Sequence, residues 1–107
     1  MPDPADETRA RHLRITRPSP WVARFAHLIP AGGAVLDLAC GGGRHARFLA
    51  ARGHPVTALD KDTAAIVSGA SPGIEIVAAD LENGAPLFEP PGPLAGRRFA
   101  GIVVVNY

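Results

Sequence analysis

One cysteine, Cys40, stands among 107 residues, so no internal disulfide can form and the disulfide framework of a small secreted domain is excluded. No apolar run approaches the roughly 20 residues that a membrane helix requires. The charged start, with Asp3, Asp6, Glu7 and Arg9, is not a secretory signal, and the cytoplasm is the expected compartment. Neither sign of charge dominates: 11 basic residues against 10 acidic leave a formal net charge of +1, so no broad field gathers nucleic acid, and none is expected as a partner. Lysine is nearly missing. Ten of the eleven basic residues are arginine, and the abundant alanine, glycine and proline point to a GC-rich bacterial genome. His12, His27, His45 and His54 lack metal-ligand spacing and there is no cysteine pair, so no metal is expected.

What is present suits one globular domain. Hydrophobic residues make up 47% of the chain and charged ones 20%, and the length suits one core rather than two. Residues 1–17 are polar and arginine-bearing, without sustained apolar periodicity, and read as a flexible tail ahead of a domain over 18–107. Ser19 can cap a helix and Pro20 suits its first position; Trp21, Phe25 and Leu28 recur at helical spacing before Pro30, a stripe expected to pack on the core. Trp21 is also a candidate for the mouth of a pocket.

Four short apolar runs follow. Residues 34–38 read as a buried strand, followed by glycines 41–43 and by helix formers from Arg44 to Arg52, with Gly53 at the C-terminal cap. Residues 55–59, closed by Asp60, give a second strand, and Asp62 or Thr63 caps a short helix that fades by Ser71. Residues 74–78 give a third strand ended by Asp80, and 102–105 a fourth ended by Asn106. Between these two, Pro86, Pro90, Pro91 and Pro93 exclude a long helix, so that crossover is mostly loop. Alternating strands and helices with continuous apolar strands imply an α/β class: a Rossmann-like parallel sheet with helices on both faces. Right-handed crossovers would put the first strand inside the sheet, with the second and third on one side of it and the fourth on the other.

In that winding Asp37, Asp60, Asp80 and Asn106 meet at the carboxyl ends of the strands, where open α/β sheets bind ligands. The glycine loop lets a ligand approach the backbone, and the start of the following helix offers free N–H groups. Each acid also has a turn role open to it. Asp37 could bond to a turn, Asp60 could help to cap the helix after Asp62, and Asp80 with Asn83 and Gly84 could be ordinary turn chemistry.

The run Val35-Leu36-Asp37-Leu38-Ala39-Cys40-Gly41-Gly42-Gly43-Arg44 resembles the first motif of class I S-adenosylmethionine-dependent methyltransferases. Residues 56–60 resemble the second motif, 77–81 the third and 101–107 the fourth, in order and over nearly the whole expected domain. The resemblance implies S-adenosylmethionine as cofactor, with its methionine part against the loop Ala39, Cys40, Gly41 and Gly43 and with Asp37 nearby. It implies Asp60 on the ribose hydroxyls, Asp80 and the Leu81 N–H on the adenine edge, Lys61 along the adenine face and Asn106 near the methionyl amine. It designates no catalytic residue. Ala39 stands where the family usually has glycine, tolerable if its φ is negative, and Ala100 where an aspartate is common. Small bacterial enzymes of the tellurite-resistance type look similar, which implies a small-molecule acceptor. A fold of this kind continues for several strands more. Its fourth strand here is therefore an exposed apolar edge to be covered by a partner or a missing C-terminal segment.

Two other functions fit parts of the pattern. Gly41 to Ala46 also satisfies the relaxed dinucleotide fingerprint G-x-G-x-x-A, with Asp60 at about the expected distance, as in an NAD(P)-dependent oxidoreductase. Asp37 opposes this, because a carboxylate beside the helix start repels pyrophosphate and attracts an ammonium group. A non-catalytic module binding an adenosyl ligand is the other. Cys40 has no neighbouring base in sequence and reads as a packing residue, and His45 reads as a helix-surface residue.

Overall fold

The structure is a computed structural model, and it describes residues 17–67 and 72–105. Helix α1 spans Pro20–Phe25 and runs into a 3-10 turn, Ala26–Leu28. There follow β1 (Val35–Leu38), α2 (Arg44–Ala51), β2 (Val56–Asp60), α3 (Ala64–Val67), β3 (Ile74–Ala78) and β4 (Gly101–Val104). All strand pairs are parallel and the order is β3-β2-β1-β4, the expected winding. The expected tail falls almost wholly on residues 1–16, outside the described residues, as do Asn106 and Tyr107.

Burial follows position in the sheet. Every residue of β2 and the first three of β1 are buried, as interior parallel strands require, whereas β3 and β4 at the edges are only partly covered. Side chains alternate across each strand, so Val35 enters one cluster with Ala46 and Leu49 of α2, Ile66 of α3 and Ala26, while Leu36 enters a second on the opposite face. Asp37, two residues after Val35, lies on the α2 side. The second cluster is completed by the proline-rich crossover, whose Leu94 is fully buried against Leu36 and Leu59 with Leu87 and Phe99 packed around it. Arg97 pins this crossover. Its guanidinium donates to the Glu75 carboxylate at 2.7 Å and to the Thr57 hydroxyl at 2.9 Å. The exposed ion pair is screened and contributes little, whereas the buried hydroxyl would otherwise lack a partner.

The caps fall where the residue types put them. The Ser19 hydroxyl accepts the Trp21 N–H, Gly53 at φ +92° ends α2, and Asp62 accepts the Ala64 N–H at the start of α3. One expectation is corrected. The stripe Trp21, Phe25 and Leu28 does not form the core side of the first helix; Val22 and Ala26 are buried instead, and Trp21 and Leu28 are exposed. The helix is short and one residue out of phase with its bulkiest side chains, which face an open groove along β4 lined by Trp21, Phe25, Ile29, Ile102 and Val104.

Candidate functional site

Asp37, Asp60 and Asp80 lie at one edge of the sheet. In register, Asp37 pairs with Ala58 two residues before Asp60, and the Asp60 carbonyl accepts the Ala79 N–H at 3.1 Å, which brings Asp80 alongside. Between β1 and α2 the loop is built on positive φ values at Ala39 (+56°), Gly41 (+55°) and Gly43 (+85°). The condition on Ala39 is therefore not met: its φ is positive, in the left-handed region that costs an L-residue roughly 1–2 kcal/mol. Gly43 is required twice, by its φ and because a Cβ there would stand 2.6 Å from Ile66 Cδ1.

The loop is anchored from three sides. The Cys40 N–H donates to the Leu59 carbonyl at 2.9 Å, the Gly41 N–H donates to Asp60 Oδ2 at 2.9 Å, and Arg47 Nη1 donates to the Gly42 carbonyl at 2.6 Å. Asp60 Oδ1 also accepts the Asp62 N–H at 3.2 Å, so this carboxylate ties the loop of β1 to the turn after β2. The turn role open to Asp60 is real. It leaves acceptor capacity, since an ionised carboxylate offers about four lone-pair sites.

Asp37 differs from Asp60. It is 1% exposed and its Oδ2 has no hydrogen-bond partner. Burial pushes its pKa up to about 7, the Ala46 backbone N–H pulls it down, nearby Asp60 raises it further and Arg44 lowers it. Buried polar atoms are nearly always paired, and an orphaned carboxyl oxygen costs about 1–3 kcal/mol. An oxygen so placed suits a cationic donor.

Asp80 is exposed, and its Oδ1 accepts the Glu82 N–H at 2.8 Å; Asn83 does the same for Ala85, so the expected turn chemistry is present. Leu81 is half-buried against the second cluster and Lys61 is exposed. Cys40 is buried in the core cluster, in keeping with a packing role. Asn106 lies outside the described residues. Among the described residues no group of histidine, cysteine and acidic side chains is placed to hold a metal.

Two residues were missed. His45 is not a surface residue: it is 5% exposed and its Nε2 accepts the Ser19 N–H at 3.1 Å. Nothing in the spacing of α2 reveals this, because the partner lies 26 residues earlier. Arg47, one helical turn into α2, could have been suspected from its closeness to an open glycine carbonyl.

The family model for the tellurite resistance protein TehB matches residues 12–76, well over half of the chain. Among solved structures the chain is similar to coclaurine N-methyltransferase bound to N-methylheliamine and SAH, with a TM-score of 0.58 and 20% identity. That match covers 97% of this chain and 29% of the other, so the chain spans less than a third of that protein's length. At this identity the likeness concerns the fold. No curated protein matches the chain.

Proposed function

We infer that this chain, which belongs to the tellurite resistance protein TehB family, carries the S-adenosylmethionine-binding part of a methyltransferase that acts on a small-molecule acceptor. One observation carries the reading: the buried, unpartnered Oδ2 of Asp37 beside a left-handed glycine loop. The methionyl ammonium of the cofactor is the donor that such an oxygen lacks. A pyrophosphate would leave the oxygen unpaired and set negative charge against it, which disfavours the dinucleotide alternative.

The other residues fit the same ligand. Asp60, with acceptor capacity beyond Gly41 and Asp62, holds the ribose hydroxyls. Ala39, Cys40, Gly41 and Gly43 carry the backbone against the methionine part, Asp80 and Leu81 meet the adenine edge and Lys61 borders its face. When bound, the cofactor supplies an electrophilic sulfonium methyl group. The chain's part is to orient that ligand and to screen it from water, which is where catalysis of such a transfer lies. The coclaurine N-methyltransferase structure holds SAH, the corresponding product, within the same fold, which supports the reading. The lone, buried Cys40 suits a reducing compartment, and we place the protein in the cytoplasm of a bacterium. Among the described residues no helix is long and apolar enough to cross a membrane.

Calorimetry with S-adenosylmethionine, S-adenosylhomocysteine and NAD tests the assignment, on the chain and on Asp60→Ala with its melting curve as a folding control. The two adenosyl ligands are expected to bind, and Asp60→Ala to weaken them by about tenfold or more, the worth of a hydrogen bond to a charged group. Binding of NAD alone would move the assignment to the oxidoreductase class.

A further inference from the structure

The first turn of α2 reaches back to the chain that leads into α1. His45 Nε2 accepts the Ser19 N–H at 3.1 Å, and Arg44 Nη1 donates to the Arg17 carbonyl at 3.3 Å. A backbone N–H can only donate, so Nε2 is the acceptor and the ring proton sits on Nδ1. Burying an imidazole is costly unless its nitrogens are used, and an apolar residue would pack as well, so the contact calls for an explanation beyond packing. The next residue supplies one. The Ala46 backbone N–H acts on the Asp37 carboxyl and lowers its pKa, and Gly43, two residues before His45, closes the glycine loop by donating its N–H to the Cys40 carbonyl at 2.9 Å.

We propose that His45 is a positioning residue for the cofactor site: by tying Ser19 to the first turn of α2, its imidazole fixes the backbone that orients Asp37 and the glycine loop. The proposal rests on the cofactor reading and adds to it a residue that touches no ligand. The charged groups on the elements around the ring are Arg44, Arg47 and the capping Arg52 of its own helix, Arg17 ahead of α1, Arg24 in α1 and Asp37 on β1, and of these Arg44 bears on the imidazole. Burial, then Arg44, lowers the imidazole to about 4, so it is neutral near pH 7. Protonation would turn Nε2 into a donor facing the Ser19 N–H and break the tie.

The bond can be cut from either end. His45→Phe keeps the bulk and removes the acceptor, while His45→Gln keeps an acceptor close to Nε2 that cannot be protonated. Ser19 has φ −55°, which proline can adopt, so Ser19→Pro removes the N–H and leaves His45 intact. Ser19→Ala controls for the lost hydroxyl cap. Affinity for S-adenosylhomocysteine is measured by calorimetry on the full chain, after each variant's melting curve has shown that it folds. His45→Phe and Ser19→Pro are expected to bind about tenfold more weakly, the scale of one lost hydrogen bond, and His45→Gln and Ser19→Ala to stay within about threefold. The affinity of the unsubstituted chain relative to His45→Gln should fall as the pH approaches the imidazole's value of about 4. If His45→Phe fails to fold, the comparison of Ser19→Pro with Ser19→Ala decides. Equal affinities for that pair, or a loss in His45→Gln as large as in His45→Phe, overturn the proposal alone. No binding by the unsubstituted chain overturns the cofactor reading and the proposal with it.

Discussion

The carboxyl end of the central strands and the flank formed by α1 and β4 are built on opposite principles. At the first, polar groups are taken out of water: Asp37 is 1% exposed with an unpaired oxygen, and the loop beside it holds three residues at positive φ. At the second, apolar groups are left in it: Trp21 is 68% exposed, Ile102 56% and Val104 53%, along an open groove with no titratable side chain among the described residues that line it. Both arrangements lower the stability of the chain by itself, for different reasons. An orphaned carboxyl and a left-handed alanine cost free energy that a polar ligand can return, whereas a contiguous apolar flank gains only from being covered. The difference assigns the two regions to different jobs, and each substitution below tests one side of it.

The largest effect is expected at Gly43. Valine there must adopt φ +85° and set its Cβ 2.6 Å from Ile66, so Gly43→Val should lose about 2–4 kcal/mol of stability in guanidinium unfolding, strain and overpacking together. Unchanged stability would mean that the loop does not pack on α3 as described.

Asp37→Asn keeps the shape and removes the titration. The folded value of about 7 lies above the ordinary 3.8, so the protonated carboxyl favours the fold, and this contribution is lost as the pH rises through about 7. His45 has the opposite sign. Its folded value of about 4 lies below 6.5, so its contribution is lost as the pH falls from 6.5 toward 4. Between those limits the two oppose each other, and above 6.5 Asp37 acts alone. Unfolding midpoints of the unsubstituted chain should therefore decline through about pH 7, and those of Asp37→Asn should not. The same variant should bind S-adenosylhomocysteine about tenfold more weakly or worse, the scale of a lost charge-assisted hydrogen bond. A variant that binds equally well would leave the orphaned oxygen without a ligand.

Ala39→Gly relieves the left-handed alanine. Glycine is unstrained at φ +56° but more flexible when unfolded, so the net gain should be about 0.5–1 kcal/mol by the same unfolding measurement. A loss would place the strain elsewhere in the loop.

These residues also mark how far the sequence could be read. The strands were legible because interior parallel strands are continuous apolar runs, and their polar ends followed from where each run stops, as at Asp37 and Asp60. The loop crossover was legible because proline forbids the alternative. The phase of α1 was not, since a stripe at helical spacing says which residues share a face and not whether that face turns inward, and the core took Val22 and Ala26 instead. Neither was the burial of His45, which depends on a contact with Ser19 made only when the chain folds back. The positive φ of Ala39 was hidden for a related reason: residue type states a preference, and the surrounding turn overrules it.

The smallest effect is expected on the other side of the comparison, at β4. Ile102→Thr keeps β-branching on an edge strand and exchanges an exposed apolar surface for a hydroxyl, so in dilute solution stability should change by no more than about 0.5 kcal/mol and ligand affinity not at all. Concentration is the sharper probe. An apolar edge without charge or proline is prone to pair with another chain, and pairing of folded chains makes the melting temperature rise with protein concentration. The unsubstituted chain should show that rise, and Ile102→Thr should flatten it. If the two chains melt alike at every concentration, the flank is indifferent to cover, and its apolar side chains are scattered surface residues rather than a face awaiting a partner.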